Sequence, residues 1–196
     1  MLKHIHAALS ESAAALEAFS SDDAALAAIE KAGAALGATF QNQGRVFSCG
    51  NGGSMSDAIH FAEELSGKFR KERRPLAALA ISDPGHLTCV ANDYGYEKVF
   101  SRYLEGHGRA GDALLAISTS GKSPNVLEAA KSAKTIGMTV VALTGRAGSP
   151  LAREAGIEIC TPCGDWSDRI QELHIKVIHI LVELVERRLF PDLYSD

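Results

Sequence analysis

Two groupings in this sequence have the residue types and spacing for chemistry. The first lies in 48-SCGNGGSMSDAIHFAEEL-65, where His60 and Glu64 stand four residues apart and share one face of a helix. An imidazole beside a carboxylate does acid–base work or holds a metal. It also occurs as a plain surface pair, so partners elsewhere must distinguish these readings. Glu63 lies about 100° round the helix from Glu64 and reads as solvated. The second grouping is 165-DWSDRIQELHIKVIHILVEL-184, which carries Gln171, Glu172, His174 and His179. His179 is flanked by Ile175, Ile178, Ile180 and Leu181, a costly setting for an unpaired imidazole. Spacing puts Glu172 closest to the His179 face, about 20° away, with Gln171 about 80° away. Between those two the residues alone leave the choice open.

Two glycine- and hydroxyl-rich loops could hold an anion beside these groups. GNGGS (50–54) follows an apolar run and precedes a helix, so its glycines permit close backbone approach and the helix offers free N–H groups. Its plainer reading is a tight turn with Ser54 as N-cap. In 118-STSGKSPN-125, Ser118, Thr119, Ser120 and Ser123 supply four hydroxyls, and Pro124 suits a first helical turn. Hydroxyls with N–H groups at a helix start suit a phosphate monoester. The stretch from Ala116 to Ser123 also satisfies a relaxed P-loop pattern, but Ala stands where that pattern needs Gly, inside the apolar run. The nearest apolar run ending in Asp, 76–83, makes a weak Mg²⁺ partner, so a nucleotide hydrolase is disfavoured.

These groups need a frame that delivers them to one place. Strand-length apolar runs occur at 45–49, 76–81, 113–118, 139–144 and 157–161. Helical patterns fall at 54–69, 95–106, 124–136, 149–155 and, longest, 166–190. Strands alternating with helices predict an α/β fold: a doubly wound, five-stranded parallel sheet flanked by helices, with ligands outside the carboxyl ends of the strands. Ala-rich helices at 3–19 and 22–42 precede it, with Ser21-Asp22-Asp23 marking the break and able to cap the second. The expected organisation is one domain, 1–43 serving as N-terminal helices and 44–196 as the ligand-binding core.

Composition narrows the function classes. With 196 residues, 46% apolar, the chain can bury a sizeable core. A net charge of −4 without a basic run argues against nucleic acid as a partner. The N-terminus has no continuous apolar h-region, and segment 175–190 carries Lys176, His179, Glu183 and Glu186, so it reads as a buried helix and no membrane association is expected. Four cysteines are too few for a disulfide scaffold, and cytosol is the expected compartment. Cys160-Thr-Pro-Cys163 has redox or zinc spacing, yet ends a strand-like run with no further ligand nearby, and is expected to be inert.

Taken together, SCGNGGS…DAIHFAEEL, AISDPGHLTCVANDYG, ISTSGKSPNV and DRIQELHIKVIHILVE resemble the bacterial phosphoheptose isomerases, of the SIS-type, flavodoxin-like sugar isomerases, nearly end to end. The resemblance implies a cytoplasmic homotetramer that converts sedoheptulose 7-phosphate to D-glycero-D-manno-heptose 7-phosphate, towards the ADP-heptose of lipopolysaccharide. It implies Glu64 as base and His179 as acid. Ser118, Thr119, Ser120 and Ser123 would take the phosphate, while Asn51, Gly52, Gly53 and Ser54, with Asn92 and Asp93, would line the sugar. Asp168 falls at a polar position of the family's site. The resemblance also implies a Zn²⁺ per subunit on His60, Glu64, Gln171 and His179, and so favours Gln171 where spacing leaned to Glu172. A non-catalytic relative that binds a replication initiator keeps the fold and anion loops; Glu64 and His179 together argue against that reading.

Overall fold

The computed structural model describes residues 1–164 and 166–195. Two Ala- and Leu-rich patterns at helical spacing become α1 (Leu2–Ser20) and α2 (Asp23–Gln41), and Asp22 caps α2 by accepting from the N–H groups of Ala24 and Ala25. The core then runs β1 (Val46–Cys49), α3 (Gly53–Ser66), β2 (Ala78–Ala80), α4 (Pro84–Tyr94), α5 (Ser101–His107), β3 (Ala113–Ser118), α6 (Pro124–Ile136), β4 (Thr139–Thr144), α7 (Pro150–Glu154), β5 (Ile157–Cys160) and α8 (Ser167–Leu189).

All strand pairs are parallel, in the order β2-β1-β3-β4-β5. The chain builds outward from β1 to β2, then returns to β1's other side for β3, so the order reverses between β1 and β3. A ligand crevice is expected outside the carboxyl ends of strands at such a switch point. Sheet residues alternate between two apolar layers. On one side Val46, Leu115, Ile117, Val141 and Leu143 pack with α2, α3 and α8; on the other Phe47, Leu114, Ala116, Val140 and Ala142 pack with α4, α5 and α6. Ile29, Leu36 and Phe40 of α2 join the first layer with Leu173, Val177 and Leu181 of α8, so the N-terminal helices extend the core.

Four expectations need correction. The run at 76–81 pairs as a strand only over 78–80, although the Ile81 N–H still reaches the Ser48 carbonyl. The helix expected at 95–106 is a 3₁₀ turn at Tyr96–Lys98 followed by α5. Helix α4 was not expected; Asp83 caps it by accepting from the His86 N–H, and Pro84 occupies its first turn. Ala116 is fully buried inside β3, so the relaxed P-loop pattern begins within the strand and leaves too short a loop. Lastly, α3 is capped by Gly52, not Ser54, which lies buried inside the first turn.

Candidate active site

The two anion loops leave the adjacent strands β1 and β3 and are braced across the switch point. Asn51 and Asn125 exchange amide hydrogen bonds, each 2.8 Å, and the Tyr96 hydroxyl donates to Asn51 at 3.1 Å. Asn51 therefore holds the loops together as well as bordering the site. A cavity of about 260 Å³ opens beside it, lined by Asn51, Tyr96, Glu97, Ser123, Pro124 and Asn125.

In the hydroxyl-rich loop, the Ser118 and Ser123 oxygens lie 3.1 Å apart, and Ser118 accepts from the Gly121 N–H. Ser123 is the N-cap residue of α6, yet its hydroxyl makes no cap bond; Pro124 has no N–H and the Val126 N–H donates to Asn125 Oδ1, so the Asn125 N–H is the first-turn donor left for another acceptor. Thr119 is half-buried, while Ser120 and Lys122 are exposed. Gly121 has φ +63°, and a Cβ there would stand 2.2 Å from the Ser149 hydroxyl, so the loop requires glycine. In the other loop Gly52 has φ +56° and open space around it.

The acid–base groups converge from α3 and α8. His60 Nε2 lies 3.2 Å from Glu64 Oε1 and 3.3 Å from His179 Nε2. Among the described residues, these three form the group whose ligand atoms all lie within 4.8 Å of one another. In a tetrahedral site with metal–nitrogen distances of about 2.0–2.1 Å, neighbouring ligand atoms sit roughly 3.3 Å apart. These two separations therefore have the spacing of a tetrahedral edge, and the nitrogen and oxygen donors suit a borderline cation such as Zn²⁺. His179 is half-buried and stacks on Phe69, with ring centroids 5.9 Å apart. The most deeply buried imidazole on this helix is instead His174, whose ring nitrogens meet no hydrogen-bond geometry among the described residues, with the Thr144 backbone nearby. Burial outweighs the nearby Thr144 backbone and pushes its pKa down to about 4.

Gln171 and Glu172 now separate. Gln171 faces α3: a Cβ on Gly53 would lie 2.6 Å from its Nε2. Glu172 faces α1, accepting from Ser12 at 2.6 Å and pairing with Arg169 at 2.6 Å. Asn92 and Asp93 are exposed near the end of α4; Asn92 donates to Asp93, and the Cys89 thiol lies 3.7 Å from it. Asp168 is exposed in the first turn of α8, 3.5 Å from Arg169. Among the described residues, neither the Asn92–Asp93 pair nor Asp168 hydrogen-bonds to the histidine cluster. Cys160 and Cys163 are free thiols held protonated by burial, as an inert pair requires.

The sequence reading missed Asp57. Its Oδ2 is buried without a partner, and burial raises its pKa to about 6 against the opposing pull of His60. Its place three residues before His60, on the same helix face, was the available signal. Asn125 and Tyr96 were missed too, because their bonds to Asn51 span the fold.

The parallel sheet with its switch point, two glycine- and hydroxyl-rich loops and an imidazole–carboxylate cluster on flanking helices make an α/β protein of the SIS class, and residues 9–145 match the SIS domain family. The phosphoheptose isomerase of Aeromonas hydrophila is 54% identical over 181 residues, covering 92% of this chain and 94% of that protein. The solved phosphoheptose isomerase of Neisseria gonorrhoeae is 37% identical, with TM-score 0.87, covering 94% of this chain and 98% of that one. That of Francisella tularensis is 34% identical, with TM-score 0.89, covering 95% and 98%. The chain belongs to the phosphoheptose isomerase family of SIS-domain proteins.

Proposed function

We propose that this chain is an aldose–ketose isomerase that converts sedoheptulose 7-phosphate to D-glycero-D-manno-heptose 7-phosphate, supplying ADP-heptose synthesis for lipopolysaccharide. The observation that carries this reading is the convergence of Glu64 and His179, from two helices, on His60 of the helix that the 50–54 loop opens. The relatives' name supplies the substrate class.

Moving the carbonyl from C2 to C1 requires one carbon-bound proton to move the other way. The Glu64 carboxylate takes the proton from C1, leaving an enediolate, and returns it to C2. His179 gives a proton to O2 and receives one from O1, so the protein ends each turnover unchanged. Ser118, Thr119, Ser120 and Ser123, at the start of α6, bind the phosphate and fix the sugar at a distance from the reacting carbons. Asn51, Gly52, Gly53 and Ser54 line one wall; Asn92, Asp93 and Asp168 contribute polar groups at its border. His60 orients the pair and carries no proton. A Zn²⁺ held by His60, Glu64, Gln171 and His179 would supply Lewis-acid polarisation of a substrate oxygen, while weakening Glu64 as a base for as long as Glu64 is a ligand. The spacing of the three donors His60, Glu64 and His179 supports their part of that ligand set, and Gln171 rests on the family resemblance.

The protein acts in the cytoplasm as a homotetramer. Leu2, Ile5, Leu9 and Leu16 of α1, with Leu26 of α2, are exposed apolar side chains that copies of these helices would cover. No helix among the described residues is long and apolar enough to cross a membrane. The reading is tested by Glu64→Gln, which keeps the shape of the side chain: turnover of sedoheptulose 7-phosphate collapses while its binding survives. A Glu64→Gln protein as active as the wild type refutes the assignment.

A further inference from the structure

The proton-transfer groups sit on different helices, so their contact depends on how α3 and α8 are held. The segment 67–75, which joins α3 to β2, runs along α8. Phe69 stacks on the His179 ring, Arg70 meets Glu183 at 2.6 Å and Arg73 meets Glu186 at 2.8 Å. Positions 179, 183 and 186 follow i, i+4, i+7 spacing and share one face of α8. The Arg70 pair is half in solvent, but the Arg73 and Glu186 side chains are 1% and 0% exposed.

Arg73 does more than pair with Glu186. Its Nη1 donates to the Gly67 carbonyl and its Nη2 to the Glu64 carbonyl, each at 2.7 Å. These are among the last carbonyls of α3, which lack partners inside the helix, and a cation is favoured at that end. The second Glu186 oxygen accepts from the Tyr194 hydroxyl. One planar guanidinium thus joins the backbone of Glu64 to a carboxylate two turns beyond His179. A lysine ammonium lacks the fork needed for all three contacts. A buried ion pair adds little stability over an apolar pair of the same size, so stability alone is a weak reason for this arrangement.

We infer that Arg73, through Glu186 and the Glu64 carbonyl, is a positioning residue that sets the separation of α3 and α8 and holds Glu64 against His179. This rests on the isomerase reading above. The test uses the full chain as purified and compares wild type, Arg73→Lys and Tyr194→Phe. Each is assayed well below its melting temperature, with kcat normalised to folded protein. A displacement of catalytic groups lowers kcat, whereas the distant phosphate loop keeps its geometry. Arg73→Lys is expected to lower kcat roughly tenfold or more, with KM within about threefold. Tyr194→Phe frees one Glu186 oxygen and is expected to lower kcat by a smaller factor of about two to five, again without a KM change. A purely structural role lowers the melting temperature and leaves kcat per folded molecule unchanged. That result for a folded Arg73→Lys overturns the inference. If Arg73→Lys does not fold, Tyr194→Phe decides it, and an unchanged kcat there overturns it equally. A wild type without turnover refutes the isomerase reading itself, and the role of Arg73 with it.

Discussion

His174 gives the protein an acid sensitivity whose size follows from its surroundings. The ring is fully buried on α8, and among the described residues only the Thr144 backbone lies near enough to favour its charged form. Burial disfavours the imidazolium, so the folded-state pKa falls from 6.5 to about 4. Above pH 6.5 both folded and unfolded forms carry the neutral ring, and the full stability is present. As pH falls, the unfolded chain takes up its proton first, and stability is lost until the folded form is protonated near pH 4. At about 1.4 kcal/mol per pKa unit, this one side chain removes about 3 kcal/mol between those limits. His174→Leu keeps similar bulk and cannot protonate. Urea unfolding of both proteins from pH 7.5 to 4.5, at one fixed protein concentration, isolates the effect from the other titrating groups. The variant is expected within about 1.5 kcal/mol of wild type at pH 7.5, and to lose about 3 kcal/mol less on acidification. Equal pH slopes in the two proteins would refute the account of a neutral, buried His174.

Other expectations concern the loops, the core and the metal. Gly121→Ala places a Cβ 2.2 Å from the Ser149 hydroxyl at φ +63°; steady-state kinetics should show a rise in KM of about tenfold or more as the phosphate loop deforms. Leu36→Ala empties a fully buried site between α2 and α8 and should cost about 2–5 kcal/mol in chemical denaturation, with kcat of the folded fraction unchanged. Prolonged chelation followed by Zn²⁺ titration should remove and then restore turnover, and calorimetry of the stripped protein should show the site lost in His60→Ala.

The parts most legible in the sequence were those fixed by local rules. Strands β3 and β4 and helix α6 have the bounds expected, because long apolar runs end at Ser118 and Thr144 and Pro124 opens the helix between them. Asp83-Pro84 carried an equally local start signal for α4, but Gly85, Thr88, Cys89 and Val90 are poor helix formers and hid it. Gly95, with φ +92°, breaks the pattern that spacing alone extended through 95–106. The choice between Gln171 and Glu172 was not local. Only packing shows that Arg169 and Ser12 draw Glu172 towards α1 while Gln171 stands against Gly53. The same holds for Arg73 and Glu186, and for Asn51 and Asn125, whose pairing spans long stretches of chain.

The central claim is that Glu64 and His179 shuttle protons on a heptose phosphate. Its most direct test is to incubate the protein with sedoheptulose 7-phosphate in D₂O and follow the C1 and C2 protons by NMR, with and without chelator. New aldose signals with deuterium at C2, absent in the Glu64→Gln protein, are the predicted result. No conversion by a folded, zinc-replete protein would contradict the account.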